Sequence, residues 1–144
     1  MTDIRANTSR DPESAGTAIL GKGGSGRGPG PELMAAHTLQ GDPVVNAQGY
    51  ALGRIEHIML DVARGKVAYA VLSFGGFLGL GEKYFALPWD ALSLDTDRHR
   101  FILNVDRGVL EGAPGFDKQH WPTMGDPRWA VRLHEYYGIR PYWD

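Results

Sequence analysis

The sequence predicts a mainly β fold: a small closed antiparallel barrel, preceded by a disordered tail and followed by a helical extension. Three observations carry that prediction. Between His37 and Asp106 short apolar runs alternate with turn residues at intervals of about ten, the spacing of a compact all-β unit. The 144 residues include 20 glycines and 9 prolines, more than a helical bundle carries, so the chain turns often. Lys66 to Phe74 is apolar on both alternating faces, Val67, Tyr69 and Val71 on one and Ala68, Ala70, Leu72 and Phe74 on the other, as in a strand of a small barrel covered on both sides. A chain of this length has room for one domain with a real core.

Residues 1–36 form the predicted tail. They are mostly polar or small, without one aromatic, and the run from Gly21 to Pro31 is glycine punctuated by proline. Such a composition buries too little apolar surface to offset its backbone entropy. Met34, just before the first folded element, competes with Met1 as the translation start. Residues 37–106 form the barrel. Val44-Val45 and the turn Asn46-Ala47-Gln48-Gly49, whose glycine supplies positive φ, open a first hairpin. The next strand, about Leu52 to Asp61, breaks a strict period of two, which calls for a bulge or for burial on both faces. Ala63-Arg64-Gly65 connects it to Lys66–Phe74, with glycine at a left-handed position. Glu82 to Leu87 is a further strand that Pro88 ends, Trp89 to Leu92 is one helical turn, and Arg100 to Val105 is the last strand after the turn Asp95–His99. In residues 107–144 Asp126 caps a helix, Pro127 suits its first position and Gly138 its end. Trp129, Leu133, Tyr136 and Tyr137 are then expected to share one buried helical face.

Composition excludes several function classes. With no cysteine there are no disulfides, thiolate metal sites or cysteine nucleophiles, and a reducing cytoplasm suits the chain. The longest apolar stretch, Val67 to Phe74, is far short of a membrane span, and the segment after Met1 develops no secretory apolar region, so no membrane insertion is expected and the predicted location is cytoplasmic. A net charge of -2 provides no excess of cation for a run of phosphates, which argues against nucleic acid as a partner.

The chemical motifs are weak. Gly21 to Gly26 matches G-x-G-x-x-G, but no strand precedes it and no helix follows. Asn7-Thr8-Ser9 is a glycosylation sequon without an export signal. The histidines at 37, 57, 99, 120 and 134 show no metal-ligand spacing, and no metal or other cofactor is expected. Asp95 and Asp97 have the spacing of a hairpin turn, and nothing in the sequence brings two of Glu56, Asp61, Glu82 and Asp90 together for acid/base work. No G-x-S-x-G elbow occurs, so no catalytic residue is assigned. Two features point instead to partners. The glycine-rich loop from Gly75 to Gly81 carries Phe77, Leu78 and Leu80, which either plug one end of the barrel or meet a partner. The C-terminal aromatics, Trp129, Tyr136, Tyr137 and Trp143 among them, either pack on their own barrel or anchor an interface.

The stretch Leu52-Gly53-Arg54-Ile55-Glu56-His57-Ile58-Met59-Leu60-Asp61, followed by Val67 to Trp89 with its long glycine-aromatic run, resembles a PRC-barrel domain over roughly Ala36 to Asp106. The part from Ala113-Pro114-Gly115-Phe116-Asp117 to Arg140-Pro141-Tyr142-Trp143 resembles the extension of stand-alone bacterial members. The resemblance implies the small β-barrel shared by the cytoplasmic part of the photosynthetic reaction-centre H subunit and the C-terminal half of a ribosome maturation factor. Both roles are protein-contacting, and the resemblance brings no catalytic residues with it. The membrane helix of the first and the N-terminal β domain of the second have no counterpart in residues 1–36. The expected function is thus a non-enzymatic interaction or assembly module, homodimeric, meeting a protein partner through Phe77, Leu78, Leu80, Trp129, Tyr136, Tyr137 and Trp143, with no small-molecule substrate. One rival is an RNA- or ribosome-associated factor, which needs a basic patch from Arg54, Arg64, Lys66, Arg98 and Arg100. The other is a ligand-binding barrel, which needs a pocket of roughly 300 Å3 with converging polar groups.

Overall fold

Seven strands pair into one sheet in the computed structural model, which describes residues 16–20, 32–75 and 82–144. They are β1 (Ala18–Leu20), β2 (Pro43–Val45), β3 (Ala51–Asp61), β4 (Lys66–Gly75), β5 (Glu82–Pro88), β6 (Leu92–Asp95) and β7 (Arg100–Leu103), in the order β1-β6-β7-β2-β3-β4-β5. Helices α1 (Ala36–Leu39), α2 (Arg107–Glu111) and α3 (Pro127–Tyr137), with a 3-10 turn at Trp89–Ala91, complete the described structure.

The hairpins follow the expected turns. β2 and β3 pair antiparallel across Asn46–Gly49, where Gly49 has positive φ and the Asn46 side-chain Oδ1 accepts from the backbone amides of Gln48 and Tyr50. β3 and β4 pair antiparallel across Gly65, also at positive φ. The broken period of β3 has its cause in register shifts at Ile55/His57 and Met59/Leu60, the bulges that the pattern required. Asp95 acts as a turn residue: its Oδ1 accepts from the amides of Asp97 and Arg98 at 3.1 and 3.2 Å.

Two expectations about the sheet need correction. It is not wholly antiparallel, because β2 runs parallel to β7 and β1 parallel to β6. Nor is it closed among the described residues: the order is linear, with no pairing between β1 and β5. The free edge of β5 is occupied instead by the C-terminal extension, where the amides and carbonyls of Tyr84 and Phe116 exchange two hydrogen bonds of 2.9 Å. An edge strand covered in this way exposes fewer unpaired peptide groups. The double-sided burial of β4 has the same origin. Ala70, Leu72 and Phe74 point into the main core with Val44, Ile55 and Phe101, while Tyr69 and Ala68 pack under α3 through Leu133.

The predicted tail also needs correction at its middle. Residues 1–15 and 21–31 lie outside the described residues, but Ala18–Leu20 adds a strand to β6. Thr96 donates to the Leu20 carbonyl from both its amide and its hydroxyl, Thr17 Oγ1 donates to Trp89 O, and the Gly16 amide donates to Asp90 Oδ1. An apolar run this short, Ile19-Leu20, is invisible against its glycine-rich surroundings.

α3 starts and stops as its capping residues dictate. Asp126 accepts from the Arg128 amide, Pro127 occupies the first turn, and Gly138 takes the left-handed conformation. Its buried arc is made by Ala130, Leu133, His134 and, in part, Trp129 and Tyr137. Tyr136 was expected on that arc but is 41% exposed. At about 100° per residue it points roughly a quarter turn away from the centre of the buried stripe.

Candidate functional site

β3 and β4 outrun their neighbours. β2 pairs with β3 only as far as Arg54, and β5 reaches β4 only as far as Tyr69, so Met59–Asp61 and Lys66–Ala68 project as a two-stranded tip. α3 and the residues after it lie beside that tip, and between them is a cleft of about 490 Å3. Met59, Ala68, Tyr69, Met124, Ala130 and Trp143 are among the residues that line it. Leu60 and Val131 bring apolar side chains to it, exposed by 62% and 40%, and Val62 is 87% exposed. Leu60 and Val131 line the cleft, and Val62 follows in the hairpin turn.

The polar groups converge on Asp61. Its Oδ2 accepts from the Tyr142 hydroxyl at 2.6 Å and from Arg64 Nη1 at 2.9 Å, and its Oδ1 accepts from the Arg64 amide at 3.0 Å. The Tyr142 bond, with those from Arg64, holds the carboxyl down to about 2. Burial and the bond it donates to Asp61 push the Tyr142 phenol up to about 12. Burial, reinforced by Tyr142 and Asp61, also pushes Tyr69 far above the ordinary phenol range, so Tyr69 remains a protonated donor. Its side chain is 3% exposed, and its hydroxyl has no hydrogen-bond partner among the described residues.

Aromatic packing fixes these groups. The Tyr69 ring sits 5.3 Å from Trp129, 5.7 Å from His134 and 6.1 Å from Tyr142, mostly edge to face. His134 is buried with Nδ1 against the Ala130 carbonyl at 2.8 Å, and Trp143 packs edge to face against both His134 and Tyr142. Lys66 Nζ donates to the Tyr142 carbonyl at 3.3 Å and ties the chain end to the hairpin. A carboxyl held near 2 is a weak base at neutral pH, and a phenol near 12 or above is a weak acid. Neither Asp61 nor Tyr142 is tuned to exchange a proton near neutral pH.

Of the residues expected to meet a partner, Phe77, Leu78 and Leu80 lie outside the described residues. Trp143 lines the cleft, and Trp129 packs against Tyr69, which also lines it. Tyr137 is partly buried against both core clusters. Tyr136 faces away and donates its hydroxyl to the Val109 carbonyl. The sequence pattern missed Tyr69 and the exposed apolar residues Leu60, Val62 and Val131. The available signal was the apolar pair Leu60 and Val62, two residues apart where the strand enters its turn, which an exposed hairpin does not need. Three of the cations weighed for an RNA-binding patch carry carboxylate partners, Arg64 on Asp61 and both Arg98 and Arg100 on Asp95. A second, mostly apolar groove of about 340 Å3 lies between Ile19, Met34 and Leu39 on one side and Ile58, Trp89 and Leu94 on the other. Among the described residues no three metal-ligating side chains come together, and no helix is long and apolar enough to cross a membrane.

Comparison with known proteins completes the description. The family model for the PRC-barrel domain matches residues 31–110. No curated protein matches the chain. Among solved structures the chain is similar to that of a 16S ribosomal RNA processing protein, RimM, from Pseudomonas aeruginosa, with 22% identity and a TM-score of 0.37. The similarity covers 52% of this chain and 45% of that one, so this chain spans less than half the length of that structure.

Proposed function

The chain belongs to the PRC-barrel domain family, and from that premise we propose that it is a non-catalytic, cytoplasmic protein-interaction module whose contact face is the β3–β4 tip and the adjoining cleft. One observation carries the reading: two large apolar side chains, Leu60 and Val131, stand exposed on the lining of a cleft whose interior is mostly apolar, and Val62 is exposed in the hairpin turn that follows Leu60. Exposed apolar surface gathered around a concavity is costly in water and marks a contact site more often than isolated surface residues do. The paired state of Asp61 adds support, since a carboxylate that already accepts three hydrogen bonds tolerates a covering partner.

The test is photo-crosslinking in the cells that make the protein, with a photoreactive amino acid at Val62 and, as a distant control, at Arg98. The expected result is one discrete protein adduct at Val62, absent at Arg98 and abolished by Leu60→Lys. An adduct of two copies of the chain identifies a homodimer. A nucleic-acid adduct, or no adduct at Val62, overturns the reading.

A further inference from the structure

We infer that Met59 and Met124 form a reversible oxidation site on the contact face: a hydroperoxide converts the two thioethers to sulfoxides, and the oxidised cleft releases the partner. The inference rests on the interaction reading above and names how that face is regulated.

The placement of sulfur is the starting observation. The chain has four methionines and no cysteine, so thioethers are its only side-chain sulfur. Among the described residues these are Met34, Met59 and Met124, and none of them is fully buried. The buried cores are built from aliphatic and aromatic residues without a methionine. Each methionine instead lines a groove, Met34 the one beside β1, and Met59 and Met124 the cleft at the β3–β4 tip. Met59 belongs to β3 and Met124 to the segment leading into α3, so two distant parts of the chain bring sulfur to one cleft.

An oxidant reaches both without displacing a side chain. The cleft has a volume of about 490 Å3 and is bordered by the exposed residues Leu60, Arg64 and Val131. A water molecule takes up about 30 Å3 of liquid, and hydrogen peroxide about twice that. Met59 and Met124 pack against the cluster of Ala68, Tyr69, Ala86 and Leu133 and stay partly exposed, so oxidising them changes the cleft lining and leaves the core beneath it filled.

The step needs only the peroxide. The sulfur lone pair attacks one peroxide oxygen, the O–O bond breaks as the S–O bond forms, and the departing hydroxide takes the proton of the transferred hydroxyl and leaves as water. Sulfur loses two electrons and the peroxide is reduced by two. The product is polar where the thioether was apolar, and methionine sulfoxide reductases reverse it. In the free protein the new oxygen is hydrated in the open cleft. Under an apolar partner surface it is buried without a donor, which weakens the contact roughly tenfold for each sulfoxide.

The test treats the full chain, carrying the photoreactive residue at Val62, with hydrogen peroxide and locates the sulfoxides by peptide mass spectrometry. The expected result is sulfoxide at both Met59 and Met124 with a cooperative thermal transition retained. Added to an extract of the cells that make it, the oxidised protein is expected to form at least about tenfold less Val62 adduct than untreated protein, and the reductase restores the adduct. The double variant Met59→Leu/Met124→Leu, which keeps apolar side chains of similar volume, is expected to form the adduct alike before and after peroxide. Where leucine itself weakens the contact, Met34→Leu decides, since its adduct must still be lost to peroxide and regained with the reductase. Three outcomes overturn the inference: thioethers at Met59 and Met124 that survive a dose oxidising free methionine in the same tube, an adduct that oxidation leaves unchanged, or an adduct that peroxide removes from the double leucine variant as well. With an unchanged adduct the interaction reading stands and this inference alone falls, whereas untreated protein that yields no adduct removes both.

Discussion

Replacing Gly53 by alanine tests how tightly β3 is held against β4. A Cβ built on Gly53 would lie 2.0 Å from the Ser73 carbonyl oxygen, 3.0 Å from Leu72 Cδ1 and 3.1 Å from the Ser73 carbonyl carbon. Contacts under 3.0 Å do not occur for real Cβ atoms, so the two strands have to part locally by about 1 Å. Neither strand is at liberty to move: Gly53 is paired with Val44 on β2, and Ser73 with Tyr84 on β5. Parting them weakens about two ladder hydrogen bonds of about 1 kcal/mol each and adds an overpacking cost of about 2 kcal/mol. The expected loss is about 4 kcal/mol, a large part of the 5–15 kcal/mol that holds a domain of this kind together. Urea unfolding followed by tryptophan fluorescence measures it. Gly65→Ala is the control, since its Cβ meets nothing within 4 Å and the cost is only the left-handed φ of 68°, about 1 kcal/mol. If Gly53→Ala unfolds no earlier than Gly65→Ala, the close approach of the strands at Ser73 is wrong.

Three further outcomes are expected. Leu72→Ala empties a fully buried position at the centre of the sheet and lowers stability by about 3 kcal/mol, read from the same urea midpoints. Removing residues 1–20 strips β1 from β6 and leaves Thr96 without its Leu20 partner, so the Tm falls; a fully disordered tail predicts no change. The Asp61 carboxyl is held at about 2, below the ordinary 3.8, so the stability that it contributes is complete above about pH 4 and is lost as the pH falls toward 2. Wild-type Tm therefore drops across that window more steeply than the Tm of Asp61→Ala, and parallel curves contradict the Tyr142–Asp61–Arg64 network.

Local chemistry explains why much of the fold was legible. Glycines that had to adopt positive φ marked the turns at 49 and 65, and a capping aspartate followed by proline marked the start of α3. The irregular apolar pattern of β3 announced its bulges, because a strand that keeps its core face through an extra residue cannot keep a period of two. β1 was not legible, since three residues at a sheet edge derive their order from β6 and carry almost no pattern of their own. The helical face was misjudged at Tyr136 for a related reason: one stripe holds more aromatics than the core has room for, and only docking decides which of them turn inward.

The candidate site shows the same division. The amino-acid sequence alone determined a β-rich domain with a capped C-terminal helix, since periodicity, turn residues and caps act between neighbours in the chain, and the likeness of Leu52 to Trp89 to a PRC-barrel domain implied the family. It also singled out Trp143. Only the tertiary structure decided that Tyr142 meets Asp61, 81 residues away, and that Tyr69 ends beneath α3 without a partner for its hydroxyl. Those contacts depend on where the extension docks along the sheet, and that choice is made by summed burial across many residues rather than by any local signal.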